Sequence, residues 1–419
     1  MTGQWTRGAI LRQLERLKHG ALTVAADGRT WTFGNPASDP RATIAVTSPR
    51  MWTRVALGGS LGAAESYLRG EWMADDLTAV LRIFARNLGV ADRLEGGPSR
   101  IARLLASLGH RVRRNSRRGS RRNIHDHYDL GNDLFALFLD DTLTYSSGIF
   151  ERDDMTMREA SVAKLDRVCR KLALTSQQHV IEIGTGWGSF ALHAATHYGC
   201  RVTTTTISDA QYEVAARRIA AAGLCDRVTL LRTDYRDLTG TFDALVSIEM
   251  IEAVGHEHFD TFFATCSRLL KPDGVAVLQG IVMPDYRYRS YLGAADFIQR
   301  YVFHGSALPS IGAMTASLGR ATDLRLTHLE DLAPHYATTL RRWREQFMSR
   351  ADEVRRLGYD ERFIRLWEYY LAYCEAGFAE RCTGVVQVIL EKPGCRRVAG
   401  GAWASAQNAQ VGDASLLVA

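Results

Sequence analysis

Apolar and polar positions between His179 and Asp209 change period twice. His179 to Ile183 is a short apolar run with β-branched residues at Val180, Ile181 and Ile183, the pattern of a strand. Gly184-Thr185-Gly186-Trp187-Gly188 forces a sharp turn, and Ser189 to Tyr198 then carries Phe190, Ala191, Ala194 and Ala195 at helical spacing. Gly199 stops that helix, and Arg201 to Ile207 is β-branched enough for a second strand. The alternation continues downstream. Gln211 opens a helix that closes at Gly223. Arg227 to Arg232 and Phe242 to Ile248 read as strands, Phe259 to Leu270 as a helix ended by Lys271-Pro272-Asp273-Gly274, and Val275 to Gln279 as a fifth strand. Strand then helix, repeated, predicts the α/β class with a doubly wound, parallel, Rossmann-like sheet.

The flanks follow other patterns. LTVAADGRTWTFG reads as a hairpin turning at Asp27-Gly28, and Arg41 to Pro49 offers a further strand. Arg54 to Asn87 is mostly helical, interrupted near Gly70, with Asp75 and Asp76 as caps for a helix beginning at Leu77. Residues 1–94 therefore predict a small α+β N-terminal domain, read as a structural or docking module. Met155 to Leu174 is an amphipathic helix leading into the central unit. Beyond the fifth strand come helices over Tyr336 to Arg355 and Glu361 to Phe378, forming a cap, and a closing strand Val385 to Glu391. Gly394 to Ala419 is small and polar, the composition of a disordered tail.

Composition narrows the class. Of 419 residues, 46% are hydrophobic and 23% charged, as in a water-soluble globular protein, and no apolar run is long enough to span a bilayer. The first twenty residues lack the uninterrupted apolar core of a secretory signal. Seven scattered cysteines without metal-site spacing read as reduced thiols of a cytoplasmic protein. A net charge of +6 points to an anionic partner. Its basic residues concentrate in RVRRNSRRGSRRN, within an arginine-rich linker over residues 95–122. Linker and phosphate-binding roles are compatible there, through arginine forks or attraction to anionic lipid. No nucleic-acid motif accompanies the run, so nucleic acid is not the expected partner. His125 and His127 lack a third ligand cluster and predict no metal site.

The glycine turn carries the first chemical signal. GTGWG is G-x-G-x-G, whereas the dinucleotide fingerprint is G-x-G-x-x-G with a phosphate on the helix N-terminus. Glu182 stands just before the glycines, which disfavours an anion and favours a cationic ligand. A nucleoside with a charged amino-acid tail, S-adenosylmethionine, fits that turn. Polar loops at Thr233 to Asp237 and Glu249 to Gly255 fall at the carboxyl ends of later strands, where open α/β sheets bind ligands.

EIGTGWGS, TISDAQ, TDYRDL, SIEMIEAVG, LPS and HYATTLRRW, with HYDLGNDLF and LTYSSGIF upstream and YYLAYCEAGF downstream, resemble the cyclopropane fatty acid synthase family. IEMIEAVG and LQGIVMP are most similar to its actinobacterial branch, which makes methyl-branched or 10-methylene fatty acids. The resemblance implies a class I methyltransferase domain over residues 123–393 with a lipid-binding cap. It implies methyl transfer from S-adenosylmethionine to the cis double bond of an unsaturated phospholipid acyl chain, at an anionic membrane surface on the inner face, with a homodimer as the candidate assembly. Carried over by motif, Tyr145, Ser146, Gly184, Gly186 and Gly188 meet the cofactor, Thr206, Ser208 and Gln211 its ribose side, and Asp234 and Tyr235 its adenine. Ser147, Glu252, Gln279, Ile281 and Tyr336 match the residues that hold a proton-accepting bicarbonate ion. Ser147 stands where the family often has cysteine and Gln279 where it often has histidine. Cys374 matches a cysteine once suspected of catalysis, but an alkene attacking a sulfonium methyl needs no enzyme nucleophile, so it reads as structural. A carbocation formed by methyl addition would be sheltered by aromatic faces and quenched by loss of a proton to a positioned base.

Overall fold

The computed structural model describes residues 2–90, 131–293 and 296–396. The arginine-rich run, the His125–His127 pair and residues 397–419 of the expected tail lie outside the described residues.

The N-terminal unit opens with α1 (Thr2–Leu14), which the sequence patterns did not reveal. The expected hairpin forms from β1 (Ala21–Ala26) and β2 (Arg29–Gly34). Asp27 at φ 51° and Gly28 at φ 72° supply the two left-handed residues that a tight two-residue hairpin turn requires. β3 (Arg41–Val46) pairs parallel to β1, and α2 (Arg50–Leu68) follows, broken at Gly59 (φ 58°, ψ −135°). β4 (Trp72–Ala74) completes a sheet of order β2-β1-β3-β4, and α3 (Leu77–Arg86) covers it. Asp76 caps α3 by accepting the Ala79 N–H at 2.9 Å.

Downstream, α4 (Asn132–Phe138) precedes α5 (Met157–Leu172), β5 (His179–Ile183), α6 (Ser189–Tyr198), β6 (Arg201–Thr205), α7 (Asp209–Ala221) and β7 (Val228–Leu231). Then come β8 (Phe242–Ile248), α8 (Phe259–Leu269) and β9 (Leu270–Val282), which runs longer than the expected strand. The region between β9 and the cap holds α9 (Asp285–Leu292), α10 (Phe297–Tyr301), α11 (Ile311–Ala321) and β10 (Arg325–Asp331). The cap helix expected over Tyr336 to Arg355 is two helices, α12 (Ala333–Ser349) and α13 (Ala351–Arg356), because Arg350 leaves helical geometry at ψ 22°. α14 (Glu361–Ala379) and β11 (Gly384–Glu391) close the chain.

The large sheet has the order β10-β11-β9-β8-β5-β6-β7. β9, β8, β5, β6 and β7 are parallel, as expected. β11 and β10 run antiparallel to their neighbours, because the chain returns from the cap against the direction of β9. From β5 the chain steps outward to β6 and β7, then crosses back to β8 on the other side. That reversal opens a crevice at the carboxyl ends of β5 and β8, where such sheets bind ligands.

One hydrophobic core joins the N-terminal unit to the cap: Leu22, Trp52 and Ile83 share it with Phe135, Trp343 and Trp367. Arg82 and Arg86 both pair with Glu380 at 2.7 and 2.6 Å, and Tyr67 donates to Glu368 at 2.7 Å, tying α2 and α3 to the end of the cap. Among the described residues no helix is long and apolar enough to cross a membrane.

Candidate active site

β5 delivers the chain to the glycine turn, where the Gly184 and Thr185 N–H groups donate to the Thr205 carbonyl at 3.1 and 3.0 Å. Gly184 sits at φ +102°, and a Cβ there would press on the Met250 side chain at 3.3 Å. Gly186, at φ +53°, faces open space, so a bound molecule can approach its backbone. Gly188 is the N-cap of α6 rather than part of the cavity wall. Glu182 is buried at the end of β5 and accepts the Thr204 hydroxyl at 2.6 Å, with Thr204 in turn 2.7 Å from the Thr185 hydroxyl. Burial pushes its carboxyl up to about 8, against the pull of Thr204 and Lys164. A cation brought beside it would favour its ionised form.

Most of the expected cofactor residues line the same cavity as that turn. Thr206 donates to the Gln211 side-chain carbonyl at 3.0 Å, and both line the cavity. Ser208 caps α7 by accepting the Gln211 N–H at 3.3 Å and stands behind the wall. Asp234 and Tyr235 face the cavity after β7, with the Asp234 carboxylate held by two Arg236 N–H groups at 2.8 and 2.6 Å. Tyr145 stacks on Trp343 at 5.2 Å and meets the Tyr370 hydroxyl at 2.8 Å. Ser146 accepts from the ammonium of Lys164, a fully buried lysine of α5, at 2.7 Å. Burial lowers Lys164 to about 8, while Glu249, Glu182 and Asp140 resist the loss of its charge.

The residues expected to hold an anion divide into two groups. The Ser147 backbone N–H and Gln279 Nε2 donate to Glu249 Oε1 at 2.9 and 2.6 Å, and the Tyr336 hydroxyl donates to Glu249 Oε2 at 2.6 Å. The Ser147 hydroxyl turns away, to the Gly148 carbonyl at 3.0 Å. Ile281 and Glu252 pair with each other instead, the Ile281 N–H donating to Glu252 Oε1. Glu252 Oε2 is buried with no hydrogen-bond partner among the described residues. Burial raises the Glu249 carboxyl, partly offset by Tyr336, Ser147, Lys164 and Gln279. Burial and then the charge of Glu249 push Glu252 up to about 8. Burial thus raises both neighbouring carboxyls, and the donors gathered on Glu249 oppose the rise there.

Glu249 is also one of five non-glycine residues at positive φ among the described residues, at +50°, a left-handed conformation that a non-glycine residue seldom adopts. Behind it runs a directional chain. Lys171 can only donate, and does so to Gln387 Oε1 at 2.7 Å. Gln387 Nε2 then donates to Gln279 Oε1 at 2.8 Å, which leaves the Gln279 amide nitrogen aimed at Glu249. Glu330 anchors Lys171 at 2.5 Å and Arg167 at 2.6 Å.

Sequence reading noted Glu249 only as a carboxylate at a strand end and missed Lys164, Lys171 and Gln387. Signals were present. Lys164 and Lys171 lie seven apart, on the face of α5 that its apolar residues define, and Gln387 interrupts the apolar run VVQVILE.

A cavity of about 980 Å³ begins at Gly184, Glu249 and Glu252, passes Tyr369, Tyr370 and Phe297 of the cap region, and reaches the inner face of the N-terminal sheet. Cys374 lines it, and burial pushes its thiol up, which disfavours the thiolate.

Comparison with known proteins agrees with this arrangement. Residues 115–388 match the family described as Mycolic acid cyclopropane synthetase. The chain is 40% identical over 371 residues to tuberculostearic acid methyltransferase UfaA1 of Mycobacterium tuberculosis, covering 85% of each chain. It is 34% identical over 352 residues to cyclopropane-fatty-acyl-phospholipid synthase of Escherichia coli, covering 84% of this chain and 88% of that one. The solved structure of the cyclopropane synthase MmaA2 from Mycobacterium tuberculosis superposes with a TM-score of 0.61 at 30% identity, over 65% of this chain and 98% of that one. A mycolic acid cyclopropane synthase complexed with SAH and CTAB superposes equally well, at 31% identity. A Rossmann-like sheet, a glycine turn behind a carboxylate, and these matches together make the chain an S-adenosylmethionine-dependent methyltransferase that belongs to the mycolic acid cyclopropane synthetase family.

Proposed function

We propose that this enzyme adds a one-carbon unit to the cis double bond of an unsaturated phospholipid acyl chain and that Glu249 accepts the proton released. The observation that carries the reading is the convergence of Ser147, Gln279 and Tyr336 on one buried carboxylate at the mouth of a long apolar cavity. The three donors expected to hold bicarbonate are already satisfied by a carboxylate of the chain itself. Those residues do not fit a separate bicarbonate ion in addition.

Gly184, Gly186, Thr206, Gln211, Asp234 and Tyr235, which line the cavity, would hold S-adenosylmethionine, and it would supply an electrophilic methyl group. The chain's own residues do the rest. The cavity walls hold the alkene against that methyl, since a poor nucleophile depends on proximity for much of its acceleration. One alkene carbon bonds to the methyl as its bond to sulfur breaks, and the other becomes cationic. Tyr369, Tyr370 and Tyr373 face the cavity and shelter the cation without attacking it. Glu249 removes a proton from the new carbon. Direct ring closure gives a cyclopropane; a prior hydride shift to the cationic carbon gives an exocyclic methylene. The similarity to a tuberculostearic acid methyltransferase favours the methylene product. Attraction of the arginine run to an anionic lipid surface brings enzyme and substrate together.

The test supplies oleoyl phospholipid in anionic vesicles with S-adenosylmethionine carrying a deuterated methyl. The product gains one carbon with two deuteria retained and reacts as an olefin, and turnover falls as salt is raised. Retention of three deuteria, or no mass gain, sinks the reading.

A further inference from the structure

We propose that the interior of the N-terminal unit is a binding subsite for the methyl-terminal half of the acyl chain. The inference deepens the acyl-chain reading above and rests on it. The cavity that borders Gly184 and Glu249 also borders this unit, where Leu22 and Val24 of β1, Ile44 of β3 and Trp52 of α2 line it. These four side chains are at most 6% exposed and share one core, yet each also borders open volume. Protein cores are normally close-packed, with few voids larger than a water molecule. A large void lined by apolar side chains stays dry and takes apolar ligands.

Three further observations fix what fits there. α2 is broken at Gly59, at φ 58° and ψ −135°, where Gly59, Ser60 and Leu61 line the cavity. A glycine conformation that an L side chain resists therefore shapes the wall at a buried position, beside the exposed Ser60. Polarity is also divided along the cavity. The ionisable lining residues, among them Lys164, Glu182, Glu249, Arg236, Arg287 and Asp296, lie on the catalytic and cap side, and the N-terminal lining carries no charged side chain. An ester or head group buried among Leu22, Val24 and Ile44 would find no donors, so only the hydrocarbon terminus can end there. Size agrees as well, because about 980 Å³ lies at the top of the roughly 300–1,000 Å³ range for a single small ligand, with room for a nucleoside and an extended chain. The N-terminal unit thus measures the distance from the double bond to the chain terminus, a specificity role and not a docking one.

The experiment compares palmitoleoyl and oleoyl phospholipids, whose double bonds sit equally far from the head group while the distal halves differ by two methylenes. Val24→Phe and Ile44→Phe fill the far end, and each should shift the product ratio towards palmitoleoyl by about tenfold. Phe84→Ala, which enlarges the same end, should shift it towards oleoyl. Melting temperature and S-adenosylhomocysteine binding report that the variants remain folded. Equal loss on both lipids, or an unchanged ratio, overturns the proposal. A second measurement needs no variant: oleoyl phospholipid with a photoreactive diazirine at the chain terminus should label peptides spanning residues 21–61 of the wild-type protein. Labelling confined to the methyltransferase sheet or the cap overturns it. If the wild type modifies neither lipid, the acyl-chain function fails, and terminal labelling still decides whether this subsite takes a hydrocarbon end.

Discussion

The two ends of the cavity are built on opposite principles. Around Glu249 every oxygen is met by a directional donor, and the chain from Lys171 through Gln387 and Gln279 fixes which way each amide points. Around Leu22, Val24 and Ile44 the wall is hydrocarbon, with area and volume as its only terms. Buried polar networks specify geometry closely because an unmet partner is costly, whereas apolar packing tolerates graded change. Chemistry therefore sits at the end where one atom matters, and chain-length selection at the end where one methylene matters.

Removing the charge at the polar end should produce the largest effect. Glu249→Gln keeps volume and loses the anion that takes the proton. General-base catalysis is worth about 10²- to 10⁴-fold, so kcat should fall by about a thousandfold with cofactor binding retained. Glu252→Gln should cost about tenfold or less, since Glu252, pushed up to about 8, is already neutral near neutrality and its Oε1 contact to Ile281 survives. Stripping bicarbonate from the buffer should leave the wild-type rate unchanged. A dead Glu252→Gln beside an active Glu249→Gln would reverse the assignment.

The pH profile sharpens the same contrast with a smaller effect. Glu249 must be ionised to act, and burial raises its carboxyl above the ordinary value near 4.5. Activity should thus fall on the acid side at a pH above the usual carboxylate range, because lowering pH through a raised value protonates the base early. Lys164 holds that value down, so Lys164→Met should move the acid limb to still higher pH, and Lys164→Arg should restore much of it. An acid limb at the ordinary carboxylate value would mean that another group takes the proton. The apolar end contains nothing that titrates, so the palmitoleoyl-to-oleoyl ratio should not follow pH.

Much of the fold was legible because its signals are local. β8 reads as FDALVSI and α6 as SFALHAATHY, each bounded by residues that end an element, and both formed with the expected limits. β10, as RLTHLED, escaped notice because an edge strand half-exposed to water keeps polar residues that blur its period. The helix near Tyr336 was seen, but its break at Arg350 was not, since no proline or glycine marks it. The site was half legible in the same sense. The glycine turn is contiguous, but Glu249 acquires its role from Ser147, Gln279 and Tyr336, which lie on three other parts of the chain. The motifs contain the donors but not the contact that joins them. The continuity between the N-terminal core and the cavity is likewise a property of packing, with no sequence signature of its own.

The subtlest expected effect separates orientation from mere filling of space at Gln387. Gln387→Leu removes the donor to Gln279 Oε1, which is left unmet at about 1–3 kcal/mol, and one acceptor of Lys171, which keeps Glu330. A kcat lower by roughly tenfold with KM unchanged is the expected outcome, because 1.4 kcal/mol corresponds to about tenfold. Gln387→Glu is the sharper variant. It keeps the volume and gives Lys171 a better partner, so a purely structural role predicts that it is the milder change. A carboxylate cannot donate to Gln279, however, and the Gln279 amide is then driven to turn its nitrogen towards residue 387 and its oxygen towards Glu249. Glu249 would lose a donor and face a negative dipole, which raises its carboxyl further. The acid limb of kcat should therefore move to higher pH in Gln387→Glu than in Gln387→Leu, although Gln387→Glu is the more conservative change in shape. The opposite order would mean that the chain from Lys171 packs the sheet without aiming the base.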